Sequence, residues 1–289
     1  MYKMVYSFCI VVLLLTLNSC IREDLSGCPT NYMVKVTVKD KNYSNIDNFP
    51  QLTKVDENLP FSSYSGTIYY IVKNASTGVV VQESSVLTTS GDNPYYSIEL
   101  KELPSGDYEV AVWGNLTSDV PAGTLHKDGT EYMDLYTAAG KFSFHPGAEV
   151  GTLELQRTKG KAVVFCTNFP SNVTQIEINV SPIYQFVDPY LNYSGVTQVT
   201  KSSSLSSINE LFIAPSLMGT PAKLNVRFYA DNSSNPILII PEISTNIFPN
   251  EIAAMKVDYN TSSGSWEIWV NIHGEWMMIH QLDIHLALT

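Results

Sequence analysis

Alternating apolar and polar residues decide the fold, and they are clearest in residues 32–39, which read YMVKVTVK. Tyr32, Val34 and Val36 fall on one face of an extended chain, and the residues between them fall on the other. This period of two predicts a strand that buries one face. No long segment follows the helical i, i+3, i+4, i+7 spacing, and the best candidate for a short helix is 131–139.

The same alternation recurs along the chain between turns rich in Gly, Pro and Asn. Further strands with one apolar face are expected at 107–113, 224–229 and 266–273. Many short strands of this kind predict an all-β protein built from β-sandwiches. Three long loops are expected, at 41–65, 115–140 and 184–209.

Length and composition exclude several classes of protein. The 289 residues are enough for one large or two ordinary domains. The 44% of them that are hydrophobic suffice for a core, which excludes global disorder. The 17 Lys and Arg residues against 28 Asp and Glu give a formal net charge of −11. No basic stripe can be built from this balance, so we expect no nucleic-acid partner.

The first twenty residues predict export and lipidation. Residues 8–17, FCIVVLLLTL, follow Lys3 and are too few to span a ~30 Å hydrocarbon core as a helix. The sequence LNSC that ends at Cys20 resembles the bacterial lipobox, in which cleavage after Ser19 accompanies acylation of Cys20. The next residues, 21–24 (IRED), resemble a surface-export signal of Bacteroidota lipoproteins. The alternatives are an ordinary signal peptide and a solvated tether.

Strand grouping and this N-terminal signal together define the expected domains. The strands form two sets that meet near the basic residues Arg157 and Lys161. A faint internal echo favours duplication, because Pro-Ser turns at 103–106 and 214–219 each precede a strand. The expected divisions are a signal peptide at 1–19, a lipidated tether at 20–30, an N-terminal sandwich at 31–158 and a C-terminal sandwich at 159–289.

Two of the four cysteines remain after export. Cys9 leaves with the signal and Cys20 takes the lipid, so Cys28 and Cys166 meet an oxidising compartment. A disulfide between them and two separate thiols both stay open, since the sequence does not give the Cα separation that a bridge requires. No CxxC pair occurs, which excludes a zinc ribbon or a thioredoxin motif.

No motif indicates catalysis. The chain lacks G-x-S-x-G, a phosphate-binding loop, H-E-x-x-H and G-x-G-x-x-G. The spacing of the five His residues fits no zinc pattern. We therefore expect no enzyme, no metal and no other cofactor.

Tryptophans near the end of the chain leave carbohydrate binding open as an alternative. Trp266 and Trp276 fall on apolar strand faces and are expected in the core. Trp269 shares the polar face with Asn271 and His273, where it suits a sugar platform, a filament contact or a half-buried position. These three residues are the candidate surface contact.

The last nine residues, 281–289, predict a strand that completes its own sheet. Burying one large apolar side chain is worth ~1.5–3 kcal/mol, so an apolar stripe does not stay in water. Only Met277–His280 separates this strand from Trp276, which is hairpin length. The stripe consists of Leu282, Ile284, Leu286 and Leu288.

Two spaced motifs resemble a single family. Residues 20–29, CIREDLSGCP, are similar to the lipidated N terminus of FimB-type fimbrillin anchor subunits of Bacteroidales, whose pattern is close to C-x-(K/R)-(D/E)-(D/E)-L-x-x-C-P. Residues 103–115, LPSGDYEVAVWGN, are similar to the family's L-P-x-G-x-Y-x-V-x-x-W-G signature. The resemblance is good across the N-terminal half and only architectural across 161–289.

The resemblance implies two tandem transthyretin-like β-sandwich domains and a non-enzymatic role. It implies an outer-membrane lipoprotein that tethers a fimbria at its base and limits its length, with fimbrillin stalk subunits as partners. Subunits of this family join by β-strand exchange, in which backbone hydrogen bonds give affinity and side-chain pockets give register. The alternatives are a surface glycan-binding lipoprotein and an accessory or tip fimbrillin adhesin.

Overall fold

The computed structural model describes residues 30–118, 123–126, 133–145, 151–231 and 233–282. Their regular secondary structure is almost entirely β-strand, which confirms the all-β expectation. Eight strands form the N-terminal half: β1 (Thr30–Val38), β2 (Thr67–Asn74), β3 (Val80–Glu83), β4 (Leu87–Thr88), β5 (Tyr96–Leu103), β6 (Gly106–Gly114), β7 (Tyr136–Phe144) and β8 (Gly151–Arg157). Within the loop after β1 lie a 3-10 turn (Ile46–Asn48) and a one-turn helix, α1 (Phe61–Tyr64).

The N-terminal strands form a sandwich that opens along one side. One layer has the order β3-β2-β6-β7, with β4 also on β2, and the other has the order β5-β1-β8. Strands β1 and β8 run parallel, and the remaining pairs are antiparallel. The layers meet at one corner, where Tyr136 and Thr137 of β7 pair with Arg157 and Gln156 of β8. The apolar faces expected of β1 and β6 are confirmed. Val34 of β1, Val110 of β6 and the other apolar residues on the same faces of these strands are buried between the layers.

Twelve strands form the described part of the C-terminal half. One layer has the order β13-β10-β15, with β16 and β17 both on β15, and the other has the order β14-β9-β18-β19-β20. The strands are β9 (Gly160–Thr167), β10 (Val173–Ile183), β11 (Phe186–Val187), β12 (Tyr193–Ser194), β13 (Thr197–Ser204), β14 (Ile208–Ile213), β15 (Ala222–Ala230), β16 (Pro236–Ile239), β17 (Ile243–Thr245), β18 (Ile252–Asn260), β19 (Ser265–Ile272) and β20 (Glu275–Leu282).

Both sandwiches repeat one topology. The layer β5-β1-β8 corresponds to β14-β9-β18, each with a parallel pair, and β3-β2-β6-β7 corresponds to β13-β10-β15-β16. The Pro-Ser turns noted in the sequence lie at equivalent places, between β5 and β6 and between β14 and β15. The C-terminal sandwich has one addition, the hairpin β19–β20, which lies beside β18.

The two sandwiches meet at a buried junction. Thr158 and Lys159, which connect β8 to β9, have no exposed surface. The loop after β1 crosses onto the outer face of β9 and β18, where Phe49 packs against Phe165 and Trp276. All pairings between the named strands of the described residues fall within one sandwich or the other. The division of the chain into two domains near residue 158, and the independent folding of each half, stay predictions.

Two expectations about local structure are wrong. The described part of 131–139 is not helical, because the chain from Tyr136 onward forms β7 and pairs with β6 along its whole length. The serine-rich end of the expected loop 184–209 instead belongs to β13. β13 is an edge strand of which only Val199 is fully buried, so its sequence carries almost no apolar alternation.

The hairpin expected near the end of the chain is displaced. The turn lies at His273 and Gly274, which both have positive φ, so Met277–His280 lies inside β20 and not in a turn. β20 pairs with β19 as far as Leu282, so only the first two residues of the expected strand 281–289 are described, and its pairing within its own sheet stays a prediction. Residues 283–289, with the rest of the apolar stripe, lie outside the described residues.

Candidate strand-acceptor groove

Strands β7 and β8 separate after their first two pairs and leave a groove between them. Beyond Thr137 and Gln156, residues 138–144 and 151–155 have edges that pair with no other strand among the described residues. The cavity between these edges has a volume of about 490 Å³. An unpaired strand edge is a template for another strand.

Phe142 occupies the space between the diverging strands. A Cβ atom on Gly151 would lie 2.6 Å from the Phe142 ring, and one on Gly140 would lie 2.9 Å from Leu153 Cδ2. Glycine at both positions therefore gives these two apolar side chains room between β7 and β8. Leu153 is buried and Phe142 half-buried, so the floor of the groove is apolar.

Two residues of β8 direct their backbone N–H and C=O groups into the groove. The Lys39 N–H donates to the Leu155 carbonyl at 2.9 Å, so Leu155 faces β1. Because successive residues of a strand direct their N–H and C=O to opposite sides, Leu153 also faces β1, and Thr152 and Glu154 face the groove. Both of the latter side chains are exposed, so substitutions there disturb little packing.

The backbone of β7 offers a matching set from the opposite wall. Gln156 faces β7 by the same alternation, and it lies directly opposite Thr137. Thr137 must therefore face β8, and Ala139 and Lys141 then face the groove. The groove thus presents backbone donors and acceptors on both walls.

A loop of the C-terminal sandwich covers one side of the groove. Pro189, Tyr190 and Leu191 line the cavity, and Tyr190 is 50% exposed. Asp188 fixes this loop by accepting the N–H groups of Tyr190 and Asn192 at 2.8 and 2.9 Å. Burial alone would raise the pKa of Asp188, but the hydrogen bond from the Asn192 side-chain amide and the two backbone hydrogen bonds outweigh it and lower the pKa.

A buried ion pair fixes the closed end of the groove. Arg157, the last residue of β8, binds Asp134 with 3.0 Å between Nε and Oδ2, and it donates to the Tyr136 hydroxyl at 2.9 Å. Its guanidinium carbon lies 4.0 Å from the centroid of the Tyr43 ring. Burial raises the pKa of the Asp134 carboxyl, and the positive charge of Arg157 opposes that shift. The net effect is a raised pKa, and the contacts of Arg157 with Asp134 and Tyr136 lie where β7 and β8 part.

The structure does not bring the three predicted surface residues to one site. Asn271 and His273 line a separate cleft beside the β19–β20 turn. Trp269 does not line it and is half-buried, with the Lys256 Nζ 4.8 Å from its ring centroid. Of the two tryptophans expected in the core, Trp266 is fully buried and Trp276 half-buried.

The cysteine predictions fall mostly outside the described residues. Ser19, Cys20 and Cys28 are not described, so cleavage, lipidation and a disulfide stay predictions. Cys166 is buried in β9, where the Asn209 side-chain amide lies 3.4 Å from its Sγ. Burial raises the pKa of the Cys166 thiol to about 12, so a free thiol there is unreactive.

The described part of the chain contains neither a metal-binding cluster nor a membrane-spanning helix. There, no group of three or more His, Cys, Asp or Glu side chains is arranged to hold a metal ion. No helix there is long and apolar enough to cross a membrane.

The sequence patterns do not reveal the groove. Its β7 wall begins within the expected loop 115–140, because apolar and polar residues alternate only weakly in β7. The available signal was Gly140 and Gly151 flanking Phe142, since glycine within a strand marks a close approach of neighbouring groups.

The fold and groove define a class: a two-sandwich β-protein with an unpaired edge in its first sandwich. Residues 25–148 match the sequence model of the family described as fimbrillin-A associated anchor proteins Mfa1 and Mfa2. This match confirms the family resemblance in the part of the chain that contains the second half of the first motif and all of the second motif. No curated protein matches the chain in sequence.

Solved structures from Bacteroides share the fold at low sequence identity. A candidate adhesin of B. thetaiotaomicron has a TM-score of 0.53 and 14% identity, over 90% of this chain and 100% of that one. A candidate polysaccharide-binding protein of the same species has 0.53 and 13%, over 86% and 98%. A candidate adhesin of B. ovatus has 0.50 and 14%, over 90% and 97%. At these identities the likeness concerns the fold alone.

Proposed function

We propose that the chain is an outer-membrane lipoprotein that anchors a fimbria by accepting a strand of a fimbrillin stalk subunit. The observation that carries this proposal is the groove between β7 and β8. In the C-terminal sandwich the equivalent position, beside β18, is filled by β19 of the same chain. An incoming strand would take the corresponding place beside β8.

Backbone and side-chain contacts would both contribute to this exchange. A strand laid along β8 would pair with the N–H and C=O groups of Thr152 and Glu154, at a net ~0.5–1.5 kcal/mol for each hydrogen bond. Every second side chain of that strand would face Phe142 and Leu153, and burying an apolar residue there adds ~1.5–3 kcal/mol. Strands with apolar residues at alternate positions are therefore the expected partners.

The tether places the groove close to the membrane. The chain enters the described structure at Thr30, at the end of β1 that lies far from the junction, since Val38 at the other end precedes the junction loop. Nine residues lie between Cys20 and Thr30, so the ten steps from one to the other span at most ~36 Å. With Cys20 acylated, the N-terminal sandwich lies at the bilayer surface, where the base of a filament is held.

The groove is tested by removing one backbone donor from its wall. Glu154→Pro deletes a groove-facing N–H and leaves the β1 side of β8 intact, whereas Glu154→Ala keeps that N–H. Tagged full-length chains are captured from solubilised outer membranes, and the co-purifying proteins are identified. We expect fimbrillins with the wild type and with Glu154→Ala, and none with Glu154→Pro.

Variants at a second position test whether misfolding, and not the lost N–H, explains a failure to capture fimbrillins. Thr152→Pro and Thr152→Ala form the same matched pair one hydrogen bond further along the groove, and thermal melts compare all four variants. If both proline variants melt normally and still capture fimbrillins, the groove is not the acceptor.

The membrane anchor is tested independently at Cys20. Because acylation requires the thiol, Cys20→Ser should leave the protein unprocessed or release it from the outer membrane, and fimbriae should detach with it. Fractionation and filament counts on whole cells measure both effects. Normal maturation and membrane retention of the serine variant would falsify the lipid anchor.

A further inference from the structure

We infer that a cleft at the junction of the two sandwiches binds a neutral oligosaccharide, with one sugar ring stacked on Phe248. Three segments form it: residues 45–48 of the N-terminal sandwich, the loop 245–253 and the turn 271–274. Its volume is about 380 Å³, within the ~300–1,000 Å³ of typical small-molecule sites. This site lies apart from the β7–β8 groove and does not depend on the anchoring proposal.

Hydrogen bonds hold the walls of the cleft in place. The Asn45 side chain bonds both the N–H and the carbonyl of Ile252, each at 2.9 Å. On the opposite wall the Asn271 Oδ1 accepts the Gly274 N–H at 3.1 Å, which fixes the turn. A Cβ on Gly274 would lie 3.3 Å from the Asn48 Oδ1, so the two walls touch there. The cleft is therefore formed before any ligand arrives.

Phe248 is an exposed ring on a rigid loop. The residue before it is fixed by Ser216, which exchanges two hydrogen bonds of 3.1 Å with Ile247. The Asn250 N–H on its other side donates to the Lys159 carbonyl at 2.9 Å. Between these fixed points the Phe248 side chain is 53% exposed. A flat apolar surface held in a concave site suits the C–H face of a pyranose ring.

Polar side chains with unused hydrogen-bonding capacity surround this ring. Among the described residues, the side chains of Asn48, Asn246 and His273 make no hydrogen bond, although all three line the cleft. The exposed carboxylate of Glu251 lies at the same rim. Amide, imidazole and carboxylate groups around an apolar surface match the alternating C–H and hydroxyl surface of a sugar.

The charge of the cleft selects the class of sugar. Among the residues that the structure describes, no Lys or Arg lines the cleft, and Glu251 places one negative charge there. An anionic glycan would bring a second negative charge close to that carboxylate without a cation to compensate. The preferred ligand is therefore neutral.

The test uses full-length protein in a detergent without a sugar headgroup. An array of neutral and acidic oligosaccharides is probed first, and the strongest binder is titrated by calorimetry. We expect saturable binding to neutral glycans, and at least tenfold weaker binding by Phe248→Leu, which keeps apolar volume but removes the flat ring. Phe248→Trp should bind at least as well as the wild type.

A matched control separates this cleft from other exposed aromatic residues. Tyr190 is 50% exposed but lies at the β7–β8 groove, so Tyr190→Leu should leave the glycan affinity unchanged. An array without a saturable neutral ligand, a preference for acidic glycans, or equal losses in Phe248→Leu and Tyr190→Leu would each overturn the inference.

Discussion

Strands β8 and β18 occupy the same place in two sandwiches of the same topology, yet their surroundings differ. Each runs parallel to a central strand, β1 or β9. On its other side β18 is paired with β19 from Met255 to Asn260. β8 is paired only at Gln156 and Arg157, and the rest of that edge faces the groove.

The difference is what the proposed anchoring role requires of one chain. In the C-terminal sandwich the hairpin β19–β20 supplies the strand that flanks β18, so that edge of β18 is already paired. In the N-terminal sandwich the same position beside β8 is the groove, which is where the proposal places the incoming strand.

The largest expected contrast is in the exchange of backbone amide hydrogens. The interior amides of β18 are bonded on both sides and should open only with free energies near the global stability, ~5–15 kcal/mol. In β8 the amides of Thr152 and Glu154 face the groove and should exchange close to the rate of an unprotected chain. Slow exchange at both residues, measured by mass spectrometry or NMR on the isolated chain, would mean that the edge of β8 is already covered.

A core substitution in β19 tests the filled position. Trp266 is fully buried, with its ring centroid 4.7 Å from Phe169 and 4.8 Å from Tyr259. Trp266→Ala should lower the free energy of unfolding by about 3–5 kcal/mol, because it removes a large side chain from a packed core. Chemical denaturation measures the loss. The control Trp269→Ala removes a half-buried ring and its contact with Lys256, and should cost about 0.5–2 kcal/mol.

Strands with a neighbour on both sides were easier to predict than strands beside an opening or an edge. Trp266 and Ile268 alternate with polar residues, and this period alone indicated a strand with its core face. Alternation records burial on one face, so it marks strands whose neighbours are present. β7 lies beside the groove and β20 lies at the edge of its sheet. In neither strand do apolar residues keep to one face, so the sequence predicts a loop in place of part of β7 and a turn in place of part of β20.

The candidate site could be predicted only in its chemistry, not in its position. The family motifs led to strand exchange, but the groove depends on where β7 diverges from β8, which is set by Arg157, Asp134 and the packing of Phe142. Those contacts join residues distant in the sequence, so local patterns do not reveal them. For the cleft, the sequence indicates Asn271 and His273 as candidate surface residues. It does not indicate the exposed ring of Phe248, which lies in a loop that carries no motif.

Arg157 tests whether the two sandwiches act as one unit. Its guanidinium joins Asp134 and Tyr136 of one sandwich to Asn250 of the other. Arg157→Lys keeps the charge but loses the planar fork, so it should lower the free energy of unfolding by about 1.5–3 kcal/mol and separate the melting of the halves. Calorimetry would show the second transition.

The matched control for Arg157 lies on the surface. Arg227 pairs with Glu177 at 3.0 Å but is 48% exposed, so Arg227→Lys should change the stability by only ~0–1 kcal/mol. A single unaltered transition in Arg157→Lys would mean that the junction is held by its apolar contacts alone.

The smallest effect concerns a histidine that links the same two halves. His126 belongs to the N-terminal half, and its Nε2 accepts the Ala214 N–H of the C-terminal half at 2.8 Å. Burial, and then the nearby charge of Lys159, hold the pKa of His126 well below its usual value, so the ring is neutral in the folded protein. The unfolded chain binds its proton near pH 6.5, and therefore takes up more protons than the folded chain below that pH.

The contribution of His126 to the free energy of unfolding should accordingly be fully present above pH 6.5 and decrease as the pH is lowered. The decrease should be up to about 1.4 kcal/mol per pH unit until the pH reaches the folded-state pKa. Thermal or denaturant melts between pH 7.5 and 5.5 measure this slope. His126→Gln keeps an oxygen acceptor for the Ala214 N–H but does not titrate, so its slope over this range should be smaller by that amount. Equal slopes in both proteins would show that His126 is already protonated in the fold, and that its bond to Ala214 does not hold the halves together.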